Sequence, residues 1–152
     1  MERYVDKLCY ELKAFKERLT HKKIDSIYMG GGTPTALTAE QLEKALVCVE
    51  ENYDLSNLLE YTVEAGRADS ITKEKLEVLK KHNISRISVN PQTFNQKTLD
   101  IIGRKHTVED VYEAFKLARE LGFDNINMDV ILGLPEETRD DIARTAKCLK
   151  EL

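Results

Sequence analysis

Four times along this 152-residue chain a short apolar stretch gives way to a longer segment whose apolar residues recur at helical spacing. The chain opens with Val5, Leu8, Leu12, Phe15 and Leu19, which predicts an amphipathic helix to about Leu19, and a first strand follows over Ile24–Met29. Thr38 with Gln41 makes a capping box, Leu37 can staple onto Leu42, and the helix so started carries Leu46 and Val49. The second strand is Glu60–Glu64. Thr72 caps a helix bearing Leu76 and Leu79, which leads to a third strand, Ile84–Val89. Asn95 caps a short helix ending at Gly103, and Thr107 with Asp110 opens another that carries Val111, Ala114, Phe115, Ala118 and Leu121 and stops at Gly122. The fourth strand is Ile126–Leu132, and Thr138 with Asp141 starts the last helix, with Ile142 and Leu149.

Strands alternating with helices of this length call for parallel pairing through right-handed crossovers, so the fold class is α/β with about four parallel β/α units. Residues 1–152 read as a single domain without a linker. Four units are too few to close a barrel, and a chain that begins and ends in a helix is expected to be part of something larger.

The chain has a net charge of −4, with 41% hydrophobic and 33% charged residues, which suits a soluble domain. It has no apolar run of ~18 residues and no signal-like N-terminus, so the expectation is a cytoplasmic protein with no membrane span. Scattered lysines on an acidic chain argue against nucleic acid as a partner. Cys9, Cys48 and Cys148 lie far apart in predicted helices, without zinc or cluster spacing, and read as free buried thiols. His21, His82 and His106 read as exposed or capping residues.

Gly30-Gly31-Gly32-Thr33-Pro34-Thr35 directly follows the first strand. Glycines let the backbone turn sharply and set bare N–H and C=O groups against a ligand, Pro34 fixes the exit, and Thr35 offers a hydroxyl. The spacing is neither that of the dinucleotide fingerprint nor that of the P-loop. A glycine-rich turn that holds nothing is the alternative.

Strands buried on both faces should be apolar throughout, and these are not. Period-two counting puts Ser26, Tyr28, Thr62, Glu64, Arg86, Ser88, Asn90, Asn127 and Asp129 on one face, and Ile27, Met29, Val63, Ile87, Val89, Met128 and Val130 on the other. Carboxylates on the first face must be paired, for instance Arg86 with Glu64 or Asp129, or must hold a ligand. The strand ends where parallel α/β sheets bind ligands carry the glycine turn, Glu64-Ala65-Gly66-Arg67, Asn90-Pro91-Gln92-Thr93-Phe94, and Asp129 through Pro135.

GGGTPT after the first strand, E-x-G-R after the second, N-P-Q-T-F-N with the following I-G-R-x-H around the third, and N-x-D-x-I-x-G-L-P-x-E-T at the fourth together resemble the radical S-adenosylmethionine core of oxygen-independent coproporphyrinogen III oxidases. The resemblance covers essentially the whole chain. It implies part of a (β/α)6 partial barrel, S-adenosylmethionine as cofactor, and a [4Fe-4S] cluster held by a C-x-x-x-C-x-x-C loop. That loop is not in this chain, whose first helix matches the segment just downstream of it, so the chain is expected to be a fragment of the core that carries no metal ligands and is inactive alone. Carried over by position, Gly31, Gly32 and Thr33 would receive the methionine amino group. Glu64, Gln92, Arg104 and Asp129 would line the nucleoside and carboxylate sites, with Arg104 suited to a bidentate hold on a carboxylate and Asp129 to ribose hydroxyls.

The intact protein would then oxidatively decarboxylate two propionates of coproporphyrinogen III to vinyls, giving protoporphyrinogen IX in haem biosynthesis, with an electron donor for the cluster as partner. The resemblance assigns no catalytic acid and no oligomeric state. Two alternatives stand beside it: a haem chaperone of the same superfamily, and a ligand-free α/β scaffold with internally paired carboxylates.

Overall fold

Each short apolar run finds a neighbour of its own kind. In a computed structural model, which describes residues 1–19 and 22–152, four strands form one sheet: β1 (Ser26–Met29), β2 (Glu60–Val63), β3 (Arg86–Ser88) and β4 (Ile126–Asn127). All pairs are parallel and the spatial order is the chain order. Six helices connect and cover them: α1 (Glu2–Leu19), α2 (Ala39–Asn52), α3 (Lys73–Lys81), α4 (Gln96–Ile101), α5 (Val108–Glu120) and α6 (Arg139–Glu151).

The helix starts are those the sequence marks. Thr38, Thr107 and Thr138 each cap a helix and each is answered three residues on by Gln41, Asp110 or Asp141, so two otherwise orphaned N–H groups are satisfied at every start. Leu37 and Leu42 are both buried beside the first of these boxes, as a hydrophobic staple requires.

Register fixes the two faces of the sheet. Ile27 pairs with Tyr61, and Met29, Val63 and Ile87 lie in line, so these residues point together at the helices. They pack with Leu46, Leu76, Leu79, Val89, Val111, Ala118 and Phe123 in one core. Each such side chain contributes about 1.5–3 kcal/mol by leaving water. A smaller cluster of Val5, Leu37, Leu42 and Ala45 fastens α1 to α2.

Several expectations need correction. Phe15 and Leu19 do not extend the buried stripe of α1, being 50% and 39% exposed. The two helices advance side by side, with Lys44 at Glu2 and Asp6, Cys48 at Cys9, and Tyr53 at Leu12, so α2 ends where Leu12 does and leaves the later turns of α1 nothing to pack on.

The fourth strand is also far shorter than Ile126–Leu132. Opposite it, Pro91 has no N–H to give, and Gln92 adopts φ 65°, so past Asn127 only the single bridge between Gln92 and Val130 remains. Val130, expected against the helices, is 36% exposed, and Ile131 and Leu132 are exposed with it.

The three thiols are free, but only Cys48 is buried. His82 ends α3 as a cap residue, yet it is buried between Glu50 at Nδ1 (2.8 Å) and Glu43 at Nε2 (2.9 Å). His106 is buried too, with Nε2 at 3.4 Å from the Pro91 carbonyl. His21 lies outside the described residues. Among the described residues no helix is long and apolar enough to cross a membrane.

Candidate functional site

Because the strands are parallel, the loops leaving β1, β2, β3 and β4 all emerge on one rim, and the polar face of the sheet runs up to it. Thr62 stands opposite Arg86 and Ser88 opposite Asn127, which places these side chains on the face away from the helices. Thr62, Ser88 and Asn90 are buried on it, whereas Tyr28 and Asp129 remain open to solvent. The hydroxyl of Ser88 has no hydrogen-bond partner among the described residues, an orphan of the kind a bound polar group would relieve.

At the rim the glycine turn and the end of β2 meet directly. The Gly31 N–H donates to Oε2 of Glu64 at 3.3 Å, with Gly31 at φ 110°, a conformation that excludes side chains. A Cβ on Gly30 would come within 2.2 Å of the Tyr28 ring and 2.7 Å of Glu64 Oε2, so any larger residue here has to displace both side chains. Around Gly31 and Gly32, by contrast, added Cβ atoms would meet nothing within 4 Å. Gly32 and Thr33 line an open cleft of about 330 Å³ together with Met1, with Tyr4 and Leu8 of the first helix, and with Met29, Leu37 and Ala45 from the helix side of the sheet.

The β3 and β4 ends are joined by an equally local set of bonds. Asn90 takes the Asp129 N–H on Oδ1 at 3.1 Å, and Gln92 donates its N–H to the Asp129 carbonyl at 3.2 Å. The left-handed conformation of Gln92 costs of order 1–3 kcal/mol and persists because its neighbours hold it on both sides, its own carbonyl accepting from Ile131 at 2.9 Å. The Asn90 N–H donates to the Gly66 carbonyl, which links this half to the Glu64 loop.

Seven residues were singled out from the sequence. Gly31 and Glu64 are in contact, Gln92 and Asp129 are in contact through the backbone, and Gly32 and Thr33 share the cleft beside Gly31. Arg104 stands apart: its N–H donates to Leu99 just past α4, and among the described residues its guanidinium has no hydrogen bond or ion pair to any of the other six. Thr35 does not offer its hydroxyl outward. It is fully buried, with Oγ1 at 3.0 Å from the Ala65 carbonyl and 2.6 Å from Ser70 Oγ.

The internal ion pairs that would make the carboxylates merely structural are not those formed. Arg86 lies 3.5 Å from Glu60 and donates to Oδ1 of Asn127 at 2.9 Å, leaving Glu64 and Asp129 without a cationic partner among the described residues. Tyr28 lies beside them. Its phenol is held above its ordinary pKa, first by partial desolvation and then by the Glu64 carboxylate, with Asp129 adding in the same direction.

One residue of this rim carries no sequence signal. Lys75, in the first turn of α3, reaches back to donate to the carbonyls of Thr35 (2.6 Å) and Ser70 (2.9 Å), tying the glycine turn to the loop after β2. Burial holds its ammonium below the ordinary lysine pKa. In sequence it is one of many helix lysines.

The cysteines do not suit a metal cluster. The Cys48 thiol donates to the Cys9 carbonyl between α1 and α2, Cys148 lies on α6, and burial first, then Cys9, pushes the Cys48 thiol up to about 11, the reverse of a metal-ready thiolate. Among the described residues no three His, Cys, Asp or Glu side chains converge on a metal position.

Residues 4–149 match the radical SAM superfamily. The chain belongs to that superfamily. Within it, this radical SAM chain is 46% identical to the oxygen-independent coproporphyrinogen-III oxidase-like protein HemZ of Bacillus subtilis, over 95% of its own length and 30% of that protein's. It is 38% identical to the heme chaperone HemW of Lactococcus lactis, over 100% of this chain and 39% of the relative. Coproporphyrinogen III oxidase (HemN) of Escherichia coli, itself a radical SAM enzyme, superposes with a TM-score of 0.89 at 28% identity, over 99% of this chain and 34% of that one. The four-stranded sheet is thus the parallel sheet of a radical SAM core, and the chain spans 30–39% of the length of these relatives.

Proposed function

We propose that this chain forms the S-adenosylmethionine-binding part of an oxygen-independent coproporphyrinogen III oxidase. The observation that carries the reading is the Gly31–Glu64 contact at a rim where Asp129 also keeps a carboxylate free of protein cations. A methionine ammonium is a donor, and the carbonyls of the open glycine turn with the Glu64 carboxylate are acceptors for it; Thr33 follows in the same turn. Arg104, with no protein partner among the described residues, suits the methionine carboxylate as a bidentate fork. Asp129 and Gln92 suit the ribose and base edges. S-adenosylmethionine, when bound, supplies the hydrogen-abstracting group of this superfamily; the chain's residues bind it, orient it and exclude water.

A ligand held at the rim leaves the polar strand face below it for the substrate. A porphyrinogen with propionate side chains, an electron donor, and a cytoplasmic setting in haem biosynthesis complete the reading. The 38% identity to a heme chaperone across the whole chain favours a second one, haem transfer by the same core. The experiment that separates them takes the protein at its natural length, incubates it anaerobically with S-adenosylmethionine, a reductant and coproporphyrinogen III, and follows protoporphyrinogen IX. Product formation with no stoichiometric haem binding is expected. Tight haem binding without product would replace the first reading with the second.

A further inference from the structure

We propose that Arg86 and Asn127 are positioning residues that aim Asp129 at its ligand, the guanidinium setting the amide and the amide setting the carboxylate. The proposal rests on reading Asp129 as a carboxylate for ribose hydroxyls. The three residues lie side by side on the polar face: Ser88, two residues on from Arg86, stands opposite Asn127, and Asp129 follows two residues later on the same side.

The bonds run in one direction. Glu60 accepts the hydroxyl of Thr62 on Oε1 at 2.8 Å and lies 3.5 Å from Nη1 of Arg86, pairing the guanidinium on that side. Nη2 then donates to Oδ1 of Asn127 at 2.9 Å, and Nδ2 of Asn127 donates to Oδ1 of Asp129 at 2.9 Å. An amide in isolation can flip with little cost. Here it cannot, because a guanidinium only donates and a carboxylate only accepts, so Oδ1 must face Arg86 and Nδ2 must face Asp129. A flipped amide would set N–H against N–H at one end and oxygen against oxygen at the other.

Asp129 is thereby held at two points, by Asn127 on its side chain and by the Asn90 Oδ1 that accepts its N–H at 3.1 Å. Its second carboxylate oxygen has no protein partner among the described residues, and the residue is exposed. One oxygen gripped and one presented is what a receptor for a pair of vicinal hydroxyls needs, since the ligand then pays no cost of ordering the carboxylate. Among the described residues Arg86 makes no hydrogen bond or ion pair to Glu64 or Asp129, so its bonded route to Asp129 runs through Asn127.

The test is a double-mutant cycle read by calorimetric titration of S-adenosylmethionine into the protein at its natural length. Arg86→Met and Asn127→Ala should each weaken binding about tenfold, the loss of one hydrogen bond to a charged group. In an Asp129→Asn background, itself about tenfold weaker, Arg86→Met should change affinity less than twofold, because the relay then has no charge to aim. Arg86→Lys, which keeps one donor, should recover most of the affinity. An equal loss from Arg86→Met in both backgrounds would make Arg86 a structural residue and overturn the relay, as would wild-type affinity in both Arg86→Met and Asn127→Ala while Asp129→Asn weakens binding. Wild-type affinity in Asp129→Asn would instead overturn the ligand role of Asp129, and the relay with it. Should Arg86→Met fold poorly, Asn127→Ala and Arg86→Lys carry the same cycle.

Discussion

Oε2 of Glu64 accepts the Gly31 N–H at 3.3 Å, so one carboxylate stitches the glycine turn after β1 to the end of β2 while staying free of any cation among the described residues. In the proposed site the carboxylate that braces the turn is also the one offered to the ligand.

Removing the charged groups of the rim should therefore separate binding from stability. Glu64→Ala, Arg104→Ala and Asp129→Ala are each expected to weaken S-adenosylmethionine binding by roughly 1–3 kcal/mol, measured by titration of the natural-length protein. Arg104→Ala should leave the melting temperature unchanged, since its guanidinium has no protein partner among the described residues, and exposed Lys105→Ala should be neutral in both measurements. Variants that bind like the parent but melt early would show the rim to be structural.

Gly30→Ala should be destabilising because of its neighbours, since the added Cβ would sit 2.2 Å from the Tyr28 ring. A cost of about 1–2 kcal/mol is expected from overpacking, read by chemical denaturation. Adding Tyr28→Ala should remove most of it. Gly32→Ala, facing open space, should cost less than Gly30→Ala.

Lys75→Met should loosen the rim from below. It leaves the carbonyls of Thr35 and Ser70 without their donor, at a cost of about 1–3 kcal/mol in the same denaturation measurement. Lys75→Arg, which can still donate to both, should recover at least half. A neutral Lys75→Met would show water to be an equal substitute.

Acid should weaken the capping boxes of α5 and α6. Asp110 accepts the Thr107 N–H and Asp141 accepts the Thr138 N–H and hydroxyl, and these bonds hold both carboxyls below the ordinary Asp value. With the folded value below the unfolded one of about 3.9, their stabilisation is present above that pH and is lost as pH falls through the folded values. Unfolding midpoints followed from pH 6 to pH 2 should fall below about pH 4, and Asp141→Asn should flatten that fall.

How much of this was legible in the sequence follows from the range of each interaction. Thr38, Thr107 and Thr138 act on N–H groups three residues away, so their boxes could be read from spacing. Phe15 and Leu19 fit the same helical period as Val5 and Leu8, but whether they are buried depended on where α2 stops. The short β4 was half visible, since Pro91 announces a missing donor; the left-handed Gln92 and the Asn90 bond to Asp129 were not. The buried His82 and His106 found their surroundings across the chain, at Glu43, Glu50 and Pro91.

The sequence by itself determined the α/β alternation, the parallel sheet, which strand face is polar, and which loops share a rim, because period-two and period-3.6 patterns are local and parallel connections leave little choice of topology. Only the tertiary structure decided which polar groups meet on that rim. Glu64 reaches Gly31 rather than Arg86, Arg86 turns to Glu60 and Asn127, Arg104 is left without a partner among the described residues, and Lys75 closes the loops from α3. Those choices depend on side-chain distances between segments tens of residues apart, which register and packing set and no spacing along the chain encodes.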